Sequence, residues 1–172
     1  MKRGMLMNRI AQFEKVSFEQ FKKDVNKHAP ILDDEGIRYY YENIQLPQRA
    51  TKGSAGYDFK TPYGFDLVKG MPIILPTGIR CKIDEGWVLQ IYPRSGSGFK
   101  HGVALYNTVG VIDSDYYYSD NEGHIMLKLR AEKPVVFNAG DGIAQGILMV
   151  YGITIDDTAD TERNGGFGST GR

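Results

Sequence analysis

The chain has 172 residues, enough for one domain of ordinary size and too few for two. Hydrophobic residues make up 41% and charged residues 24%, the proportions of a folded soluble protein rather than of a disordered chain. Lys plus Arg equals Asp plus Glu at 21 each, and this zero formal charge excludes a generally basic nucleic-acid binder and a polybasic membrane anchor, while leaving room for a local anion site.

The first predicted element is a helix. Phe18, Phe21 and Val25 are spaced as one helical face, Ser17 with Gln20 reads as a capping box, and Pro30 stops the segment. A helical appendage is therefore expected from about Met5 to His28, docked by its Phe stripe on its own domain or on a partner. The basic N-terminus lacks the apolar core of a secretion signal, and the longest apolar stretch, 143–151, is interrupted by Gln145 and too short to span a bilayer. A cytoplasmic location without membrane contact is expected. The single Cys81 and the three histidines, His28, His101 and His124, show no zinc spacing, so neither a disulfide nor a structural zinc is expected.

Beyond that helix, strand-like segments fall at 37–43, 73–75, 79–83, 87–92, 103–106, 125–131, 135–137 and 145–150. They recur roughly every ten residues without helical stretches between them, which predicts an all-β antiparallel sandwich or barrel rather than alternating strands and helices. The 21 glycines imply many tight turns. Toward the ends of 87–92 and 125–131 polar residues alternate with apolar ones, so each strand has a core face and a wet face.

Five polar, glycine-containing segments sit at the strand ends. They are Gly53-Ser54-Ala55-Gly56-Tyr57-Asp58, Pro93-Arg94-Ser95-Gly96-Ser97-Gly98, residues 107–116, residues 139–146 and residues 163–171. Arg94 beside small residues offers a guanidinium fork, hydroxyls and open backbone N–H groups, which suit phosphate oxygens; the bland alternative is a glycine-rich turn with a solvated Arg. Residues 163–172 combine four glycines, two hydroxyls and two arginines around Phe167, either a phosphate cradle with a plate that stacks on a base or a floppy tail. Asp113, directly after Gly110-Val111-Ile112, is placed to deprotonate a water for in-line attack on phosphorus, or else to cap the backbone of a turn. A Ser-His-Asp triad and a P-loop pattern are both missing, so the chemistry points to water attack on a metal-neutralised polyphosphate.

Taken together and in order, these segments resemble the trimeric deoxyuridine triphosphatases (dUTPases, dUTP pyrophosphatases). The resemblance runs from about Ile37 to Arg172 and rests on Ala55-Gly56-Tyr57-Asp58, Pro93-Arg94-Ser95-Gly96, Asn107 with Gly110-Val111-Ile112-Asp113-Ser114-Asp115-Tyr116, Gly140-Asp141 with Ile143-Ala144-Gln145, and Gly166-Phe167-Gly168-Ser169-Thr170-Gly171. It implies a jelly-roll-like (β-clip) fold, divided here into a helical appendage at 1–35, a β-barrel core at 36–155 and a flexible arm at 156–172. It also implies a homotrimer whose active sites are each built from three subunits.

The resemblance further implies hydrolysis of dUTP to dUMP and pyrophosphate, which keeps uracil out of DNA and supplies dUMP for thymidylate synthesis. Asp113 would be the general base. Asn107 and the backbone around Val111, Ile112 and Met126 would bind the uracil edge, with Tyr116 under the deoxyribose. Arg94, Ser95, Gly96 and Gln145 would hold the phosphates, Arg163, Gly168 and Ser169 would close on the terminal phosphate, and Phe167 would cap the uracil ring. Mg²⁺ would ride on the triphosphate and meet Asp58 only through water.

Three features depart from the family pattern. Gly142 stands where Arg is usual, six residues (117–122) separate Tyr116 from Gly123 where one is common, and the N-terminal segment is additional. Two other readings compete. The related dCTP deaminases carry a catalytic Glu at the position of Lys128, and a binding protein would use the nucleotide to control contact with a regulatory partner.

Overall fold

The computed structural model describes residues 8–30, 32–161 and 163. In chain order its elements are strand β1 (Ala11–Lys15), helices α1 (Phe18–His28) and α2 (Asp34–Glu42), and strands β2 (Gln48–Arg49), β3 (Tyr57–Lys60), β4 (Phe65–Leu67), β5 (Ile73–Pro76), β6 (Ile79–Ile83) and β7 (Trp87–Pro93). Then follow α3 (Ser95–His101), β8 (Ala104–Leu105), β9 (Gly110–Ile112), a 3₁₀ turn (Ser114–Tyr118), β10 (Met126–Arg130), β11 (Val135–Phe137) and β12 (Gly142–Val150).

The strands form a five-stranded sheet in the order β2-β3-β12-β7-β9, a three-stranded sheet β5-β10-β8, and the pairs β4-β11 and β1-β6. Every pairing among the described residues is antiparallel, giving the all-β architecture that the strand spacing predicts and the jelly-roll-like form that the resemblance implies. Phe59, Leu67, Leu75, Leu89, Ile125, Leu129 and Ile143 fill the space between the sheets. In β10 the alternation is complete: Leu127 and Leu129 face the core, Lys128 and Arg130 face water. Among the described residues no helix is long and apolar enough to cross a membrane.

Three expectations need correction. First, the appendage is not helical throughout. Residues 11–15 form β1, which pairs with β6 from Ala11↔Ile83 to Lys15↔Ile79. Ile10, Phe13 and Val16 recur every third residue, a spacing that a helix tolerates, but the edge of β6 supplies ladder partners that local spacing cannot reveal. Helix α1 does begin where its cap predicts: Ser17 is extended, and its hydroxyl accepts from the Gln20 N–H (3.1 Å). The reciprocal half of the capping box is absent, because the Gln20 side chain turns instead to Asp24 (2.7 Å).

Second, the strand expected at 37–43 is the helix α2, and the boundary expected after residue 35 falls inside it. Asp33 caps it by accepting from the Gly36 N–H (2.8 Å), and Asp34 and Glu35 complement the helix dipole in the first turn. Ile37, Tyr40 and Tyr41 share its packed face, continued past the cap by Ile44, a helical spacing masked by the strand preference of consecutive tyrosines. Third, the strands are not free of helix between them: residues 95–101, for which a glycine-rich turn is the bland alternative, form α3.

Gly123 closes the extra segment 117–122 onto the chain beside the 3₁₀ turn. Its φ is +69°, and a Cβ there would lie 2.7 Å from Tyr117 Cα and 2.8 Å from the Tyr116 carbonyl oxygen. Both obstacles are backbone and cannot swing aside. Gly123→Ala is therefore expected to cost about 2–4 kcal/mol, from left-handed strain plus overpacking; a denaturation midpoint unchanged from the parent would show that the turn relaxes freely.

Candidate active site

Two groups of candidate residues emerge, on opposite sides of β7. The first lines a cavity of about 730 Å³ whose walls include Asn107, Gly110, Val111, Ile112, Tyr116, Met126 and Arg163. Among the described residues strand β9 is the edge of the five-stranded sheet, paired on one side only, with β7. Its other edge therefore carries backbone donors and acceptors without a ladder partner, an array suited to reading a flat polar ligand. Tyr116 is buried beneath this edge; burial, the largest influence on its phenol, pushes the pKa up and keeps the hydroxyl neutral.

Asp113 occupies the N-cap position of the 3₁₀ turn, yet its side chain makes no capping hydrogen bond. The carboxylate is half-exposed and pairs with Arg163, whose Nε also lies 3.1 Å from Asp115 Oδ1. The bland reading of Asp113 as a backbone cap therefore fails. The guanidinium of Arg163 stands 5.9 Å from the centre of the Tyr116 ring, so a residue fifty positions downstream closes one side of the cavity.

The second group surrounds the end of β7. Gln145 on β12 lies across from Asp58 on β3, and its neighbour Ala144 lies across from Pro93 on β7, which brings three of the five motifs into register. Gly56 approaches so closely that a Cβ there would sit 2.9 Å from Gln145 Oε1. Arg94 follows β7 directly and turns back toward β3, with its Nε 3.4 Å from Asp58 Oδ1. Gly142 permits this path, since a Cβ at that position would overlap the Arg94 guanidinium. The charge that the family pattern places at 142 is absent, and the side chain of Arg94 fills the space. Ser95 and Gly96 are exposed in the first turn of α3.

The two groups do not meet within one chain. Ile112 pairs with Leu89, five residues before Arg94, and a strand advances about 3.4 Å per residue, so Arg94 lies about 17 Å along β7 from the C-terminal end of β9, where Asp113 follows. It also points away from β9, toward β12 and β3. Phe167, Gly168 and Ser169 lie outside the described residues.

A family model for dUTPase matches residues 42–171. The chain belongs to the dUTPase family. The deoxyuridine 5'-triphosphate nucleotidohydrolase of Lactococcus lactis subsp. lactis is 39% identical over 139 residues, which are 78% of this chain and 93% of that protein. The corresponding enzyme of Ralstonia pickettii is 41% identical over 138 residues, covering 74% of this chain and 90% of its own. The crystal structure of the Streptococcus mutans dUTPase superposes with a TM-score of 0.62 at 32% identity, covering 84% of this chain and 98% of that one. A dUTPase from phage phi11 of S. aureus, solved with a structural Mg(II) ion, shares the fold at the same TM-score with 16% identity. The activity is accordingly that of a dUTP nucleotidohydrolase.

Some residues of this dUTPase site escape sequence reading. Lys27 and His28, at the end of α1, line the same cavity as Tyr116 and Met126, although the family match begins only at residue 42. Nothing local marks them, because only the packing of α1 brings them there. Asp115 as a second partner of Arg163 could have been suspected from its place two residues after Asp113. The fit of Arg94 over Gly142 could not, since it depends on β12 lying beside β7.

Proposed function

We propose that this dUTPase hydrolyses dUTP to dUMP and pyrophosphate by attack of water on the α-phosphorus, in sites shared between the subunits of a homotrimer. The observation that carries the reading is the Asp113 carboxylate, which stands at a cap position without capping and reaches the cavity side occupied by Arg163. In the reaction the water oxygen bonds to the α-phosphorus, Asp113 takes the proton, and the bond from the α-phosphorus to the bridging oxygen breaks, with pyrophosphate leaving on its electron pair. Opening of the Arg163 pair frees Asp113 for this role, and Arg163 then turns to the terminal phosphate.

Uracil lies along the outer edge of β9, between Asn107, Val111, Ile112 and Met126, where fixed donors and acceptors reject the reversed pattern of cytosine. Tyr116 packs under the deoxyribose and leaves no room for a 2′-hydroxyl. The phosphates extend to Arg94, Ser95, Gly96 and Gln145 of a second subunit, because Arg94 of the same chain is too distant and faces the other way. Phe167, Gly168 and Ser169 complete the enclosure, which excludes bulk water.

Among the described residues no three His, Cys, Asp or Glu side chains converge as a metal cage. Asp58, a single carboxylate, would meet through water an ion that keeps its waters and rides on the triphosphate, so Mg-dUTP would be the substrate. When bound, Mg²⁺ neutralises phosphate charge as the pyrophosphate departs. The dUMP produced supplies thymidylate synthesis, and removal of dUTP keeps uracil out of DNA.

Lys128 places its ammonium 4.2 Å over the centre of the Tyr106 ring and offers no carboxylate for deamination. Incubation with dUTP, dCTP, UTP and dTTP, with Mg²⁺ and with chelator, is expected to give dUMP and pyrophosphate from dUTP alone and only with the metal. Ammonia from dCTP would assign the site to deamination, and tight binding without products would make this a nucleotide-controlled binding protein.

A further inference from the structure

The two additions to the family pattern, α1 and the segment 117–122, are built onto each other. Glu122 accepts from the Ser17 N–H (2.7 Å) and the Ser17 hydroxyl (2.6 Å), tying the segment to the first turn of α1. The Tyr117 hydroxyl donates to Glu14 on β1 (2.7 Å), and Arg80 both pairs with Glu14 (3.0 Å) and lies over the Tyr117 ring. Beneath this surface lies a buried connection. His124 is fully buried, and its Nε2 accepts from the backbone N–H of Gly78 (2.8 Å). A backbone N–H can only donate, so Nε2 holds the lone pair and the hydrogen sits on Nδ1, which donates to Asp24 Oδ2 of α1 (2.6 Å). Burial works to raise the Asp24 pKa, but hydrogen bonds from His124 and Gln20 outweigh it and hold the carboxyl below its ordinary value, hence charged.

The carbonyl of the same His124 accepts from the hydroxyl of Tyr116 (2.8 Å), which in turn accepts from Asn121 Nδ2 (2.8 Å). A continuous set of hydrogen bonds thus runs from α1, outside the family match, to the tyrosine of the nucleotide cavity. The same helix also borders that cavity through Lys27 and His28. We propose that α1 is a positioning element of the active site, in which Asp24, acting through His124, fixes Tyr116 and so sets the discrimination between dUTP and UTP. The proposal rests on the reading of Tyr116 as the sugar wall. A hydroxyl held from two sides cannot drift, and a displacement of about 1 Å at such a wall is enough to admit an extra oxygen or to misplace the substrate.

The test compares kcat and KM for dUTP and UTP in Asp24→Ala, Asp24→Asn and Tyr116→Ala. Asp24→Ala removes the acceptor and is expected to lower the preference for dUTP over UTP about tenfold, mainly through KM for dUTP, with kcat within a few-fold. Asp24→Asn keeps an oxygen for the Nδ1 hydrogen and is expected to retain the parent's preference. If Asp24→Ala does not fold, Glu122→Asn decides. Glu122 is half-buried and ties α1 to the segment whose Asn121 holds the Tyr116 hydroxyl. Asn tolerates the left-handed backbone at φ 59° but is too short to hold Ser17, so the loosened tie is expected to lower the preference for dUTP as Asp24→Ala does. A folded variant with the parent's preference overturns the proposal if Tyr116→Ala loses it. If Tyr116→Ala also keeps the preference, the assignment of Tyr116 to the sugar is what fails.

Discussion

Asp113→Asn is expected to bind dUTP within a few-fold of the parent and to lower kcat by about 10²–10⁴, the range that a positioned general base contributes. The substitution preserves shape and an oxygen able to accept from water, so the substrate and the attacking water can still be oriented. What it removes is the ability to take a proton. It also removes the charge that pairs with Arg163, so the side chain closing the cavity in the free chain loses its strongest partner. Substrate entry should then be no harder, and KM unchanged or lower. Calorimetric titration with dUTP together with single-turnover rates separates the two effects. Near-normal turnover would remove Asp113 from the mechanism. A large loss of affinity with an unchanged chemical step would assign it to binding alone.

How much of this could be read in advance follows from how local each signal is. The five polar segments were legible because strands must end in turns, and turns that bind phosphate draw on few residue types. The start of α1 was legible because a cap is a contact three residues long. Strand β1 was not, because its stability comes from β6, some seventy residues away. Helix α2 differs: the spacing of Ile37, Tyr40 and Tyr41 is local, but Tyr39-Tyr40-Tyr41 carries a strand preference that competes with it. At Asp113 the sequence left base and cap open, and only the missing cap bond decides against the cap. Gly142 looked like a lost charge. In three dimensions it is the space through which Arg94 reaches toward Asp58. Strand β1 and the fit of Arg94 over Gly142 depend on which strands lie side by side, and that is decided by long-range pairing rather than by neighbours in the chain.

Mixing two inactive variants is expected to restore activity. Arg94→Ala removes the guanidinium beside Asp58, and Asp113→Asn removes the base at the end of β9; each alone should be nearly inactive. Within one chain these residues are separated by about 17 Å along β7 and face opposite sides of it, so a single triphosphate should take them from different subunits. In the proposed homotrimer, a closed ring, each site would join one chain's cavity to a neighbour's phosphate group, as head-to-tail interfaces require. Equal mixing of the two variants with free subunit exchange then gives about a quarter of sites an intact Asp113 from one chain and an intact Arg94 from the next. Activity should rise toward that fraction as subunits exchange, and it should not rise when either variant is exchanged with itself. If the two residues instead served the same site from one chain, every site in the mixture would lack one of them and no activity would return. Recovery thus measures the geometry of the shared site directly, without requiring either variant to bind substrate normally.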